Sequence, residues 1–168
     1  EPVGDSRVPE FWRPYAQRNS LFENDGTGRF SALDSPSEPF AQQLNVGRSL
    51  CCGDLDNDGD LDMLAAPTAG QVQLWRNEAP RRGHWLLVRA IDPQLKREAY
   101  GAVVTVTAGE RSWQRLLNPA SSYQSSHDPR THFGMGDAAR IDSIQVRWPS
   151  GETEVFPGGS VDRQVEVR

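Results

Sequence analysis

Residues 141–148 read Ile141-Asp142-Ser143-Ile144-Gln145-Val146-Arg147-Trp148. Ile144, Val146 and Trp148 fall on one side of an extended chain, and Gln145 and Arg147 fall on the other. A period of two is the mark of a strand with one face buried. Pro149-Ser150-Gly151 then turns the chain into residues 152–156, which completes a hairpin. Working outward, residues 84–91, 101–108 and 161–167 are alternating or β-branched, and Ala108-Gly109-Glu110 leads from the second of these into residues 112–117. Twelve prolines and 15 glycines cut the rest into short runs, and the one helical turn expected lies at residues 11–17. The expected fold is all-β.

Composition narrows the function. A chain of 168 residues with 36% hydrophobic and 24% charged residues can fold, as one ordinary domain or two small ones. No run approaches the roughly 18 apolar residues of a membrane helix, so no transmembrane segment is expected. The formal charge of -5 opposes a nucleic-acid role, which needs a basic excess. The chain opens Glu1-Pro2, as a mature product or a piece of a longer protein would. Cys51 and Cys52 are adjacent, and neighbours on a strand point to opposite faces, so one buried thiol and one turned away is the leading expectation. A vicinal disulfide and a soft-metal site are the alternatives.

The densest chemistry lies at Asp54-Leu55-Asp56-Asn57-Asp58-Gly59-Asp60-Leu61-Asp62. Carboxylates stand at positions 1, 3, 5, 7 and 9, and Gly59 allows a sharp turn at position 6. Calcium takes six to eight hard oxygens, and a loop wound around the ion delivers alternate residues to it. A helix–loop–helix site would carry a bidentate Glu at position 12, where this chain has Ala65. The expected site is therefore a calcium loop in a β setting. Asp54, Asp56, Asp58 and Asp62 are its side-chain ligands, and Asp60 contributes its carbonyl. Magnesium, which keeps its waters, and zinc, which wants His or Cys, fit less well.

Leu21-Phe22-Glu23-Asn24 is echoed 53 residues later by Leu74-Trp75-Arg76-Asn77, and Asn24-Asp25-Gly26-Thr27-Gly28-Arg29-Phe30 forms a glycine-rich turn between them. With the acidic loop, residues 18–77 resemble an FG-GAP/VCBS repeat, the calcium-loop blade of integrin-type β-propellers. The second half resembles an ASPIC/UnbV domain, as found in cartilage acidic protein and bacterial relatives. It shares His84-Trp85-Leu86-Leu87-Val88-Arg89, Gly101-Ala102-Val103-Val104-Thr105-Val106, Ser122-Tyr123-Gln124-Ser125-Ser126-His127-Asp128-Pro129-Arg130, His132-Phe133-Gly134-Met135-Gly136 and Val146-Arg147-Trp148-Pro149-Ser150-Gly151. Ala120 or Ser121 replaces a glycine expected before the Ser-Tyr word, and family members carry about seven blades where this chain has little more than one. The expected layout is an N-terminal extension (1–17), a partial β-propeller blade with the calcium loop (18–77), a linker (78–83) and a β-sandwich or barrel-like domain (84–168).

The polar stretch from Ser122 to His132 invites a Ser–His reading, but no nucleophile elbow accompanies it, and His127 and Asp128 as neighbours would point apart. No catalytic residue is assigned. Tyr123, His127, Arg130 and Arg147 are the candidate partner contacts. The resemblance implies a non-catalytic, extracytoplasmic (periplasmic, cell-surface or secreted), calcium-binding interaction or adhesion module of bacterial type, with a protein partner or assembly, or a glycan, as its target. The alternatives are a structural subunit or processed fragment docking on a larger assembly, and an enzyme or biosynthetic accessory protein.

Overall fold

The computed structural model describes residues 8–33 and 39–168. The first seven residues of the expected N-terminal extension therefore lie outside the described part. The chain divides into two compact units that interleave in sequence. One comprises the residues up to Leu50 together with Leu64–Trp75, and the other Cys51–Met63 with Arg76–Arg168.

The first unit holds short elements. A 3-10 turn at Glu10–Tyr15 falls where the helical turn was expected, and a four-residue helix, α1 (Pro39–Gln42), was not anticipated. Strand β1 (Gln17–Arg18) pairs with β4 (Leu44–Asn45), and β2 (Phe22–Asn24) pairs with β3 (Phe30–Ala32), both antiparallel. The β2–β3 connection is a chain of side-chain caps. Asn24 Oδ1 accepts from Gly26 N–H at 2.8 Å, and Asp25 Oδ1 accepts from Thr27 N–H at 2.8 Å and from its hydroxyl at 2.7 Å. The Thr27 hydroxyl is the first cause holding the Asp25 carboxyl below its ordinary value. Short polar side chains that bond their own backbone two residues on are what make such turns. Strands β5 (Gly47–Gly53), β6 (Asp62–Pro67) and β7 (Gln73–Trp75) form a three-stranded sheet in that order, and the acidic loop connects β5 to β6.

The second unit is a two-layer sandwich. One sheet has the order β10 (Arg111–Leu116), β9 (Val103–Ala108), β12 (Arg140–Arg147), β13 (Thr153–Ser160), all antiparallel. The other has β11 (Thr131–Gly136), β8 (His84–Ala90) and β14 (Arg163–Val167), with β14 parallel to β8. Alternation behaves as expected: Ile144, Val146 and Trp148 are buried while Gln145 and Arg147 are exposed. Leu86, Val88 and Ala90 of β8 meet Phe133 and Met135 of β11 and Val104 and Val106 of β9 in one core. Each such burial is worth about 1.5–3 kcal/mol before entropy. Trp148 closes the face and satisfies its indole by donating to Glu154 Oε2 at 3.0 Å.

The outer face of the β11–β8–β14 sheet matters for function. Trp85 and Leu87 alternate with the core residues of β8 and so point outward, yet Leu87 is 1% exposed. Gly59 of the acidic loop, in the same unit, lies against the Trp85 indole on this face.

Candidate functional site

The loop is built around two buried carboxylates. Asp54, at the end of β5, is 1% exposed, and its two oxygens accept from the backbone N–H groups of Asp58 (3.1 Å) and Gly59 (3.0 Å). Asp62, opening β6, accepts from Leu55 N–H at 3.1 Å and from Asn77 N–H at 2.9 Å. Both thus fold the loop as well as carrying charge. Asn57 and Gly59 adopt positive φ, which makes the turn sharp. A Cβ at Gly59 would also overlap the indole of Trp85, so glycine is required for space as well as for conformation.

The carboxylate oxygens of Asp54, Asp56 and Asp58 come within 4.8 Å of one another. Three hard anionic oxygens converging from alternate positions form a cluster that could hold a metal ion. Asp60 stands apart from it, and its N–H caps Asp58 Oδ1 at 2.9 Å. Asp62 likewise stands outside the trio, bracing the two ends of the loop.

Cations that sequence reading passed over border the cluster. Arg76 pairs with Asp56 at 2.6 Å, and Arg81 donates to the Asp58 carbonyl. Arg130 is the anchor. Asp128 grips its guanidinium at 2.5–3.0 Å, while its other N–H groups reach the Asp54 carbonyl (2.7 Å), Asn57 Oδ1 (2.8 Å) and Gln164 Oε1 (3.0 Å). Hydrogen bonding to Asp128 holds this guanidinium above its ordinary value, against the opposing effect of burial. His132 Nε2 donates to the Gly59 carbonyl at 2.8 Å, since a carbonyl can only accept. Trp85, His132 and Arg130 therefore clamp the acidic loop onto the sheet.

Residues 11–65 match the FG-GAP-like repeat family, and residues 92–168 match the ASPIC and UnbV family. The two matches follow one another along the chain, the FG-GAP-like repeat first and the ASPIC/UnbV domain second. No curated protein matches it closely enough to serve as a relative. The repeat match ends just beyond the acidic loop, so the loop that closes the FG-GAP-like repeat is held by side chains of the ASPIC/UnbV sandwich and of the strand leading into it.

The four candidate partner contacts do not gather in one place. His127 and Arg130 line a hollow of about 200 Å³ together with Cys52, Asp128, His132 and Arg115. Tyr123, half exposed, and Arg147, exposed on β12, are not in its lining. His127 and Asp128 do point apart. The His127 Nδ1 accepts from Cys52 N–H at 2.9 Å, whereas Asp128 serves Arg130. Gly53 gives this junction room, since a Cβ there would come within 2.8 Å of the Asp128 Cβ. Cys51 and Cys52 are both thiols, and burial pushes the Cys52 thiol up. His84 bonds through Nδ1 to Asp162 Oδ2 at 2.7 Å.

Proposed function

We propose that this chain is a non-catalytic, calcium-binding interaction module that works outside the cytoplasm. The observation that carries the proposal is the convergence of Asp54, Asp56 and Asp58 on a loop closed by Asp62. All donors are oxygens, several are backbone-braced, and neither His nor Cys joins them, which favours a hard cation. A bound ion would relieve the repulsion among the three carboxylates. Because the same loop is clamped by Trp85, Arg130 and His132, its binding energy would reach the sandwich as folding energy. Millimolar calcium outside cells suits a loop of modest affinity.

The separate engagement of His127 and Asp128 supports the non-catalytic reading, because a Ser–His–Asp relay needs them joined. A protein partner, or a glycan, is the proposed target.

The test is thermal melting of the whole chain in calcium and in EDTA, with its size measured in both. Calcium at a hundred times its dissociation constant should add about 2–3 kcal/mol. Asp58→Ala should lose most of that gain. Identical melting in the two buffers would remove the structural ion from the account.

A second reading, a subunit that docks on a larger assembly, is favoured by the first unit's exposed apolar side chains, Phe11, Phe22, Phe30 and Leu74. Oligomers or aggregates in both buffers would support it over a self-sufficient module.

A further inference from the structure

The hollow beside the loop has a chemistry of its own. Asp128 is the one acidic side chain in its lining, and Arg130 neutralises it at 2.5 Å. Arg115 also lines it. One of its N–H groups donates to the Gln114 carbonyl, its guanidinium lies 5.9 Å from the Phe133 ring, and it has no carboxylate partner among the described residues. The hollow is therefore left with one uncompensated positive charge.

The remaining polar groups are mostly donors. His127 receives Cys52 N–H on Nδ1, so the proton of the neutral ring sits on Nε2. That N–H has no acceptor among the described residues. Asn118 spends Oδ1 on Ala120 N–H at 3.2 Å and keeps its amide donors. His132 has committed its Nε2–H to the Gly59 carbonyl, leaving Nδ1 as the exception, an acceptor.

The walls beside these donors are apolar. Leu61 and Leu116 line the hollow and remain 39% and 56% exposed, with Leu117 and Pro129 beside them. A ligand must therefore bring acceptor oxygens and a negative charge on an apolar body. One guanidinium matches a monoanion better than a phosphate dianion, and planar carboxylates suit its paired N–H groups. At about 200 Å³ the space is smaller than a drug-sized site and fits one side chain or a short acid.

We propose that this hollow is a carboxylate-binding site for a ligand with a short apolar body, held by Arg115, His127 and Asn118. The carboxylate can come from a free acid or from a glutamate in a partner's peptide chain. The assignment is independent of calcium binding and would survive the failure of that reading.

The experiment is NMR titration of the full chain with hexanoate, with its neutral isostere hexanamide, and with acetyl-Leu-Glu-Leu-amide. Arg115→Gln and His127→Asn serve as variants. Asn keeps an Oδ1 to receive Cys52 N–H but removes the Nε2 donor, so it separates binding from folding. Saturable shifts at Arg115 and His127 are expected, with a dissociation constant of about 1 mM or tighter. Each variant and the neutral isostere should weaken binding about tenfold, which corresponds to one charge-assisted hydrogen bond. Tighter binding of the peptide would assign the site to a protein partner, and response to hexanoate alone would assign it to a free acid. Equal response to hexanoate and hexanamide, unchanged binding by Arg115→Gln, or no saturable shift with either carboxylate would overturn the proposal.

Discussion

Two regions of this chain handle the same kinds of residue in opposite ways. The sandwich of β8–β14 and its connections lays sixteen buried residues into a single core, among them Leu86, Phe133, Met135 and Ile144 at 0% exposure. Among the described residues of the first unit only Val8 and Ala41 are buried apolar side chains, and Phe22 and Phe30 stand 57% and 64% exposed. Most of the first unit's strands are also much shorter. Runs of five to eight residues offer two to four inward positions each, enough for two sheets to close on one another. Pairs of two or three residues such as β1–β4 and β2–β3 are held by backbone bonds and capping side chains, with no second layer of their own. Repeat units of this kind normally bury their faces against neighbouring repeats.

The widest contrast should come from equal truncations in the two regions. Leu86→Ala opens the sandwich core and should cost about 2–5 kcal/mol in denaturant unfolding. Phe22→Ala removes a larger side chain, yet on an exposed surface it should stay within about 0.5 kcal/mol. If Phe22→Ala proved as damaging as Leu86→Ala, the first unit would have a core supplied from elsewhere, and the contrast would fail.

The acidic loop sharpens the comparison, because it is local in sequence but held by distant strands. Gly59→Ala should be next in size. It forces a side chain into a φ of +97°, costing about 1–2 kcal/mol. The added methyl also pushes against Trp85, costing about 1–3 kcal/mol more. Trp85 fluorescence should shift along with the melting temperature. Gly109→Ala, also at positive φ but facing open space, is the control that isolates the backbone cost. Equal losses for the two would show that the indole is not packed on the loop.

Legibility followed the same division. Residues 141–148 announced their strand and its buried face because burial on a sandwich repeats every second residue. Alternate aspartates with a glycine at position 6 announced the loop because a sharp turn is also a local pattern. Strand β11 was quoted as a motif but not read as a strand. Gly134 and Gly136 leave two of its outward positions without side chains, which hides the alternation of Thr131, Phe133 and Met135. What periodicity could not carry was any bond spanning some 75 residues. Arg130 reaches Asp54 and Asn57 across 76 and 73 positions, and His127 reaches Cys52 across 75. The sequence placed His127 and Arg130 among candidate contacts, but it held no sign that one is fixed by β5 and the other by the acidic loop.

The smallest expected effect lies at the sandwich's own edge, in the turn before β14. Asp162 has φ 56°, accepts Trp85 N–H at 3.1 Å, and bonds His84 Nδ1. The His84 bond is the first cause holding its carboxyl below the ordinary value of 3.8. A carboxyl lowered in the folded state binds its proton less readily than in the unfolded chain. Its contribution is therefore present above 3.8 and is lost as pH falls through the folded value. Asp162→Asn keeps an Oδ1 for Trp85 N–H and tolerates the left-handed backbone, so it isolates the charge. Both side chains of the pair are more than a third exposed, and the loss at neutral pH should not exceed about 1 kcal/mol. The difference between variant and parent should shrink in acid as the parent's carboxyl protonates. A gap that persisted unchanged well below pH 3.8 would mean that Asp162 acts through its shape and hydrogen bond to Trp85 rather than through its charge.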